Sequence, residues 1–485
     1  MRKTNWTSLY TFNYPSVDAQ GEDVVLSSAL VAWTPDNKQT DDGIESVHIF
    51  NHITITSDED RPSVTTGGST ERNAMMALLG REYGPFWGTG EHADYLGRCI
   101  IIAPDYEGYG VTKDKTHPYL QQRLTARQVV DGVNYGIQLY RKAMEENSSL
   151  LPIKDDFRSY SWGFSQGGSV ALAVHRYIEE NNLDGLLHFQ GSVCGDGPYD
   201  LIATMRYYFD DNGESYGVTT NHRKGVINMP VVMPLIIKGM CHASPHLAAY
   251  GVENFLSQQM IDTGVLEWID SKEYTTGDID RRWYEQVQNG LEKDGRQYTP
   301  AQMAELFETP SEDVVWGRLE KMLTPECYAY LADPDNFINV PTEATNAMQA
   351  LHIALAENST ATGWTPQHRI KFYHSKNDMV VPYGNYQTFL NEHAALADHL
   401  FSIDDTFSTD DHVDAGIAFF SNLTVFKKYG ATFNWLNEGP TTAIWLAGYD
   451  HVPSHDWYDL HGRRLNGKPT KSGIYIKGNK KVVIK

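Results

Sequence analysis

The feature that most limits the fold of this sequence is a run of short apolar strands alternating with helical segments. Residues 98–104 (RCIIIAP) form a continuous apolar strand of the kind buried on both faces of a parallel sheet. Residues 124–144 follow as an amphipathic helix, with Val129, Val133, Ile137 and Tyr140 on one stripe. The next strand is 157–163, the next helix 167–180, and 187–193 (LHFQGSV) is another buried strand. This alternation predicts an α/β fold, a mostly parallel sheet with right-handed crossovers and helices on its faces. Upstream, 9–14, 24–33 and 46–55 read as strands, and 69–79 has helical character.

The alternation stops after residue 200. Residues 201–364 read as a helical cap, with charged helical segments at 278–293 and 301–322. Strands return at 369–373 and 399–407, and a last helix covers 414–427. The organisation expected is a core in two parts (1–200 and 365–440), an inserted cap (201–364) and a β-rich tail (441–485). An insertion that leaves after one parallel strand and returns into another lies over the sheet's C-terminal edge, where ligands bind in such folds. Its segment 226–240 is too apolar for a solvated loop, and Pro230 and Pro234 keep it from being one long helix. The segment is either the cap's own core or a pocket lining, in which Met229 and Met233 would adapt to substrate.

Gly163-Phe164-Ser165-Gln166-Gly167-Gly168 is a G-x-S-x-G pattern set between an apolar strand and an Ala/Val-rich helix. That context suits a strained turn presenting a serine above the sheet, at a helix N-terminus that favours developing negative charge. Ser165 is the candidate nucleophile, and a serine needs a base and an orienting acid. Asp378 follows a strand in KFYHSKNDMVVPY and is the candidate acid, with Asp196 (in CGDGPYD) as the alternative. His412, 34 residues after Asp378 and just before a helix, is the candidate base, with His451 as the alternative. An oxyanion hole would take one backbone N–H from Gln166. The other would come from the end of the third strand (NHIT), from Ile53 or its neighbour Thr54. His52 in the same segment is a candidate for touching substrate, or else a structural imidazole.

The third-strand end (FNHIT), the segment APDYEGYG at 103–110 and GFSQGG together resemble the secretory-lipase-like serine esterase branch of the α/β-hydrolase superfamily. The resemblance covers roughly 46–205 and 369–427. It implies carboxylic-ester hydrolysis through an acyl-enzyme, without metal or organic cofactor, on a small-molecule, carbohydrate or lipid ester. It also implies structural roles for Asp105 and Tyr106 beside the oxyanion strand. Residues 459–485 are similar to the short C-terminal tails of secreted Bacteroidetes proteins, which suggests a secreted, periplasmic or cell-surface protein whose signal peptide is not part of this chain. By its own pattern the tail is a two- or three-stranded β-unit.

Composition narrows the alternatives. The net charge of −22 repels phosphate backbones, which argues against nucleic acid as a partner. No apolar stretch is long enough for an integral membrane segment. None of Cys99, Cys194, Cys241 and Cys327 has CxxC spacing, which leaves zinc without support. Cys241 and Cys327 are the candidates for a disulfide in an oxidising compartment. A serine peptidase of the same fold would need a site for a peptide N-terminus, and no pair of glutamates in the cap presents itself. A non-catalytic binding protein would need a broken triad.

Overall fold

A computed structural model describes residues 6–34, 43–64, 98–147, 150–211, 214–397, 399–404, 409–421 and 431–439, with short stretches between 457 and 484. The chain divides into two compact units, Met1–Asn437 and Glu438–Lys485.

The first unit is built on an eight-stranded sheet. Its strands are β1 (Trp6–Val17), β2 (Asp23–Thr34), β3 (Ile44–Asn51), β4 (Cys99–Pro104), β5 (Ile153–Phe164), β6 (Phe189–Gly195), β7 (Arg369–Tyr373) and β8 (Phe401–Asp404). They lie in the order β1-β2-β4-β3-β5-β6-β7-β8. β1 and β2 form an antiparallel hairpin, and β2 runs antiparallel to β4. From β4 onward every pairing is parallel.

The apolar runs expected from sequence form the strands because both faces of the sheet are covered. On β4, Ile100 and Ile102 join Val47 and Ile49 of β3 in one core. Cys99, Ile101 and Ala103 join Phe50 in the other. The first face is packed by helices α1 (Gln122–Glu146) and α2 (Gln166–Glu180), through Val129, Val133, Val170 and Val174. The second is packed by α3 (His412–Ser421), whose Phe419 and Phe420 meet Trp162 and Phe164. Each such side chain, fully buried, contributes roughly 1.5–3 kcal/mol.

Between β6 and β7 runs an insertion with its own core, which includes Met233, Ile237, Trp283 and Leu351. It is mainly helical, yet two of the segments read as helix carry hairpins. The helix Thr276–Asn289 ends at Gly290, and Leu291–Lys293 then pairs with Arg296–Tyr298. Asp294 and Gly295 turn that hairpin with φ of 49° and 77°, the double left-handed geometry that suits an Asp-Gly pair. In 301–322 the helix Pro300–Leu306 gives way to the strands Phe307–Ser311 and Val314–Arg318, where β-branched Val314 and Val315 favour pairing.

Several other boundaries move. β3 stops at Asn51 and not at residue 55, because the Asn51 side chain turns back onto Ser161 and Trp162 of β5. The expected helix at 69–79, the second half of the last helix, and His451 lie outside the described residues. Cys241 and Cys327 are both thiols, so the disulfide considered between them does not form. In the second unit, Trp457–Tyr458, Arg464–Leu465, Gly473–Lys477 and Lys480–Ile484 make a four-stranded antiparallel sheet, one strand more than expected. Among the described residues no helix is long and apolar enough to cross a membrane.

One buried carboxylate ties α2 to the chain entering β7. Glu179 accepts the ring N–H of His175 and of His368 (2.9 Å each) and the backbone N–H of Gln367 and His368 (2.9 and 2.8 Å). Burial raises its carboxyl, but His175, His368 and the Gln367 N–H outweigh that and hold it at about 2. The stability it contributes is complete above its ordinary value of 4.5 and is lost as pH falls toward about 2. Glu179→Gln cannot satisfy these donors and is expected to cost about 3 kcal/mol at neutral pH, read as a lower Tm in thermal melts, with the difference from the parent shrinking in acid.

Candidate active site

β5 runs straight into Ser165, and α2 begins at the next residue. Ser165 holds φ 57° and ψ −124°, a backbone state that costs on the order of 1–3 kcal/mol and persists only where the surroundings enforce it. They do so by close approach. A methyl group on Gly167 would sit 2.1 Å from the carbonyl oxygen of Asn51 in β3, and one on Gly168 2.1 Å from that of Gly195 in β6. The Ser165 N–H donates to the same Gly195 carbonyl at 2.9 Å. The serine is thereby clamped between the two strands that flank β5, at the N-terminus of a 15-residue helix.

The turn after β7 supplies Asp378. Its Oδ1 accepts the N–H groups of Val380 and Val381, both at 2.8 Å, an Asx turn that fixes the carboxylate's orientation. Asp411 caps α3 by accepting the Asp414 N–H (2.9 Å), which makes His412 the first residue of that helix. The two loops are pinned together: Ser375 Oγ donates to the Asp410 carbonyl (2.5 Å) and Asn377 Nδ2 to that of Thr409 (3.0 Å).

These elements bring the three side chains singled out by sequence into one chain of hydrogen bonds. His412 Nδ1–H donates to Asp378 Oδ2 at 2.5 Å, and Ser165 Oγ–H donates to His412 Nε2 at 2.9 Å. All three residues are buried, with Ser165 at 9% exposure and Asp378 at 1%. Burial raises the Asp378 carboxyl, but His412, its hydrogen bond and the neighbouring His374 outweigh it and hold the group below its ordinary value. Asp196, the alternative acid, lies beside Asp378 and makes no hydrogen bond to His412 that would displace Asp378 from its place.

Gln166 opens α2, so its backbone N–H has no acceptor within the helix. Its side-chain amide donates to His117 Nε2 (2.9 Å), and the His117 Nδ1–H donates to the Glu107 carbonyl (2.7 Å). Burial, with Lys272 nearby, holds His117 down at about 3, so its ring is neutral and one nitrogen is free to accept. Ile53 and Thr54 follow the Asn51 contact with Gly167 and are partly exposed, with Thr54 Oγ1 2.7 Å from Tyr119 Oη.

Two of the sequence expectations need correction. His52 has no exposed surface: its ring faces the carbonyls of Ile53 (2.7 Å) and Asp105 (3.2 Å) and stacks on Tyr106 at 3.9 Å. Buried in this way, it packs as a structural imidazole beneath Ile53, the alternative its sequence context left open, with no surface to offer a substrate. Met233 is fully buried in the insertion's own core, while Met229 is half-buried against the same core. The segment around them is therefore packing first. Asp105 takes the structural role expected of it, accepting Ser27 Oγ (2.6 Å) and the Ser63 N–H (2.8 Å). The contact that sequence did not suggest is Tyr208, whose hydroxyl donates to the Val380 carbonyl (2.5 Å) in the acid turn. Only its place in a helical, aromatic stretch just after β6 could have drawn attention to it.

Two side-chain groups among the described residues are tight enough to share a cation: His175–Glu179–His368 and Asp196–His374–Asp378. In the first, the carboxylate is already filled by four N–H donors. In the second, Asp378 is engaged by His412 and two backbone amides.

No protein-family model matches the sequence, and no curated protein does. Solved structures are similar to it. The rice cell wall degrading esterase LipA from Xanthomonas oryzae superposes with a TM-score of 0.59 at 17% identity, over 90% of this chain and 92% of that one. A Legionella pneumophila protein named as a hydrolase superposes with a TM-score of 0.58 at 18% identity, over 89% of each chain. At these identities the likeness is one of fold. With the strand order and the strand–serine–helix turn, it makes this chain a protein of the α/β-hydrolase fold.

Proposed function

We propose that this protein is a serine hydrolase that cleaves carboxylic esters through an acyl-enzyme. The observation that carries the reading is the unbroken hydrogen-bonded chain Ser165–His412–Asp378, with its serine on a strained turn at a helix N-terminus. In this reading His412 Nε2 takes the Ser165 proton as Oγ attacks the ester carbonyl, and later delivers it to the leaving alcohol. Asp378 holds the imidazole in the tautomer that leaves Nε2 free to accept, and stabilises the imidazolium that forms. The developing oxyanion is held by the backbone N–H of Gln166 and that of Ile53, with Thr54 next in line. Water then enters, is deprotonated by His412, and releases the acid.

For the substrate we put acyl esters of carbohydrates first, supported by the structurally similar esterase that degrades cell walls. Secretion is part of the same reading, supported by the likeness of residues 459–485 to exported tails. Recovery of the chain from the medium or cell surface of its producing cells would bear this out, and a cytoplasmic location would refute it.

Nitrophenyl acyl esters test the chemistry. Ser165→Ala and His412→Ala are each expected to lose about ten-thousand-fold or more in kcat with an unchanged far-ultraviolet circular dichroism spectrum, and equal rates in Ser165→Ala and the parent would refute the reading. Asp378→Asn, which leaves the shape and spoils the tautomer, is expected to lose about a thousand-fold to ten-thousand-fold at neutral pH. A fluorophosphonate probe is expected to label Ser165 in the parent, and failure to label would point to a binding protein. Faster turnover of aminoacyl anilides than of esters would point to a peptidase.

A further inference from the structure

Asp196 follows β6 and is wholly buried, with its backbone at φ 33° and its N–H donated to the Tyr373 carbonyl of β7 (2.8 Å). Its Oδ1 accepts the Ser375 N–H at 3.0 Å, while its Oδ2 meets no donor. Asp196, His374 and Asp378 each present an atom within 4.8 Å of the other two. His374 Nε2–H donates to the Val381 carbonyl (3.0 Å), so its Nδ1 is a bare lone pair that also meets no donor. The pocket behind the acid turn thus holds several acceptor atoms and is short of a proton.

Two carboxylates this close and this deeply buried do not both ionise. Asp378 has two backbone N–H groups and the His412 N–H to stabilise its charge, whereas Asp196 has one N–H. The charge therefore rests on Asp378 and the proton on Asp196. We infer that Asp196 is held as a neutral acid whose hydroxyl donates to the Asp378 carboxylate, making it a positioning residue for the Ser165–His412–Asp378 chain. Burial, the charge of Asp378 and the hydrogen bond to it all push the Asp196 carboxyl well above the ordinary range. The donated bond fixes the carboxylate with Oδ2 toward His412. It also draws charge from Asp378, so that the proton taken from Ser165 stays on the imidazole.

The inference rests on the proposed esterase reading, and its test separates the two. The titratable groups that act on the pair are His374 from the acid turn and His412 at the start of α3; Lys376 lies in the same turn, and Asp410, Asp411 and Asp414 flank His412 in sequence. Cys194 lies on β6, Tyr199 follows it, and Tyr207 and Tyr208 come from the insertion. Asp196→Asn keeps a donor of the same shape and Asp196→Leu removes it. Asp196→Asn is expected to keep kcat/KM within about threefold, with the acid limb of its pH profile unmoved. Asp196→Leu is expected to lose about 10- to 100-fold in kcat at unchanged KM, with the acid limb moved to higher pH, because an unshared Asp378 charge holds the His412 proton more tightly. Were Asp196 ionised, Asp196→Asn would remove a negative charge beside His412 and move the limb to lower pH, and that result overturns the inference. So would equal losses in both variants. An infrared difference spectrum at neutral pH gives a readout that needs no turnover: parent minus Asp196→Asn is expected to show the carbonyl stretch of a protonated carboxylic acid, and Ser165→Ala to keep it. Absence of that band refutes the neutral acid even if Ser165 proves to have no esterase role, and its presence supports it in the same circumstance.

Discussion

The close approach of the turn around Ser165 to its two flanking strands is the constraint on which the rest of the site depends. Gly167 lies against Asn51 of β3 and Gly168 against Gly195 of β6, at distances no side chain could share. The turn must then pass between the strands, and Ser165 takes up the positive φ that results. The same contact sets the segment after Asn51 beside the first amide of α2. It therefore fixes the serine and, in the proposed reaction, the place where an oxyanion would be met in a single act of packing. The strain is stored locally and repaid by the apolar cores on both faces of the sheet.

Around this clamp, the polar groups are buried and their protons are assigned by neighbours. Burial holds His52 at about 4 and His117 at about 3, so both rings are neutral supports that carry a single proton each. Neutrality is what lets His117 accept from Gln166 while donating to Glu107. In a water-poor site the alternative, an imidazolium without a carboxylate, would cost several kcal/mol. The site's fixed charge is thus concentrated on Asp378, the carboxylate that faces His412.

The central strands were readable because they carry apolar runs whose alternate residues feed both cores, as on β4. The serine turn was readable because its glycines answer to local backbone geometry, and the order of Asp378 and His412, which hydrogen bonds join to Ser165, because both follow strands of the same sheet. What escaped has common physical causes. The end of β3 depends on the Asn51 side chain bonding to β5, a partner 110 residues away. The roles of His52 and Met233 depend on burial, which composition cannot assign to a lone imidazole or a methionine in an apolar stretch. The hairpin at Asp294-Gly295 was legible in principle, but a long charged helix just before it masked a two-residue turn signal. Tyr208 is one tyrosine among 28, distinguished only by where the insertion places it.

That placement changes how the insertion should be understood. Tyr208 donates to the carbonyl of Val380, whose own N–H is held by Asp378. Asn385, just beyond the acid turn, accepts the Asp200 N–H (2.7 Å) and donates to Thr204 (2.9 Å) at the insertion's first helix. At the other end of the insertion, Asn358 accepts the Gln122 N–H (3.0 Å), and Gln122 in turn donates to Ser169 one turn beyond Ser165 (2.9 Å). Both ends of the insertion are thus bonded into the two loops and helices that carry Asp378 and Ser165. The core sheet supplies the positions of these residues, while the insertion supplies partners for the backbone and side chains that hold them there. Through these shared bonds sheet and insertion lie within one compact unit, in which a change at either end of the insertion is felt at the turns that carry Asp378 and Ser165.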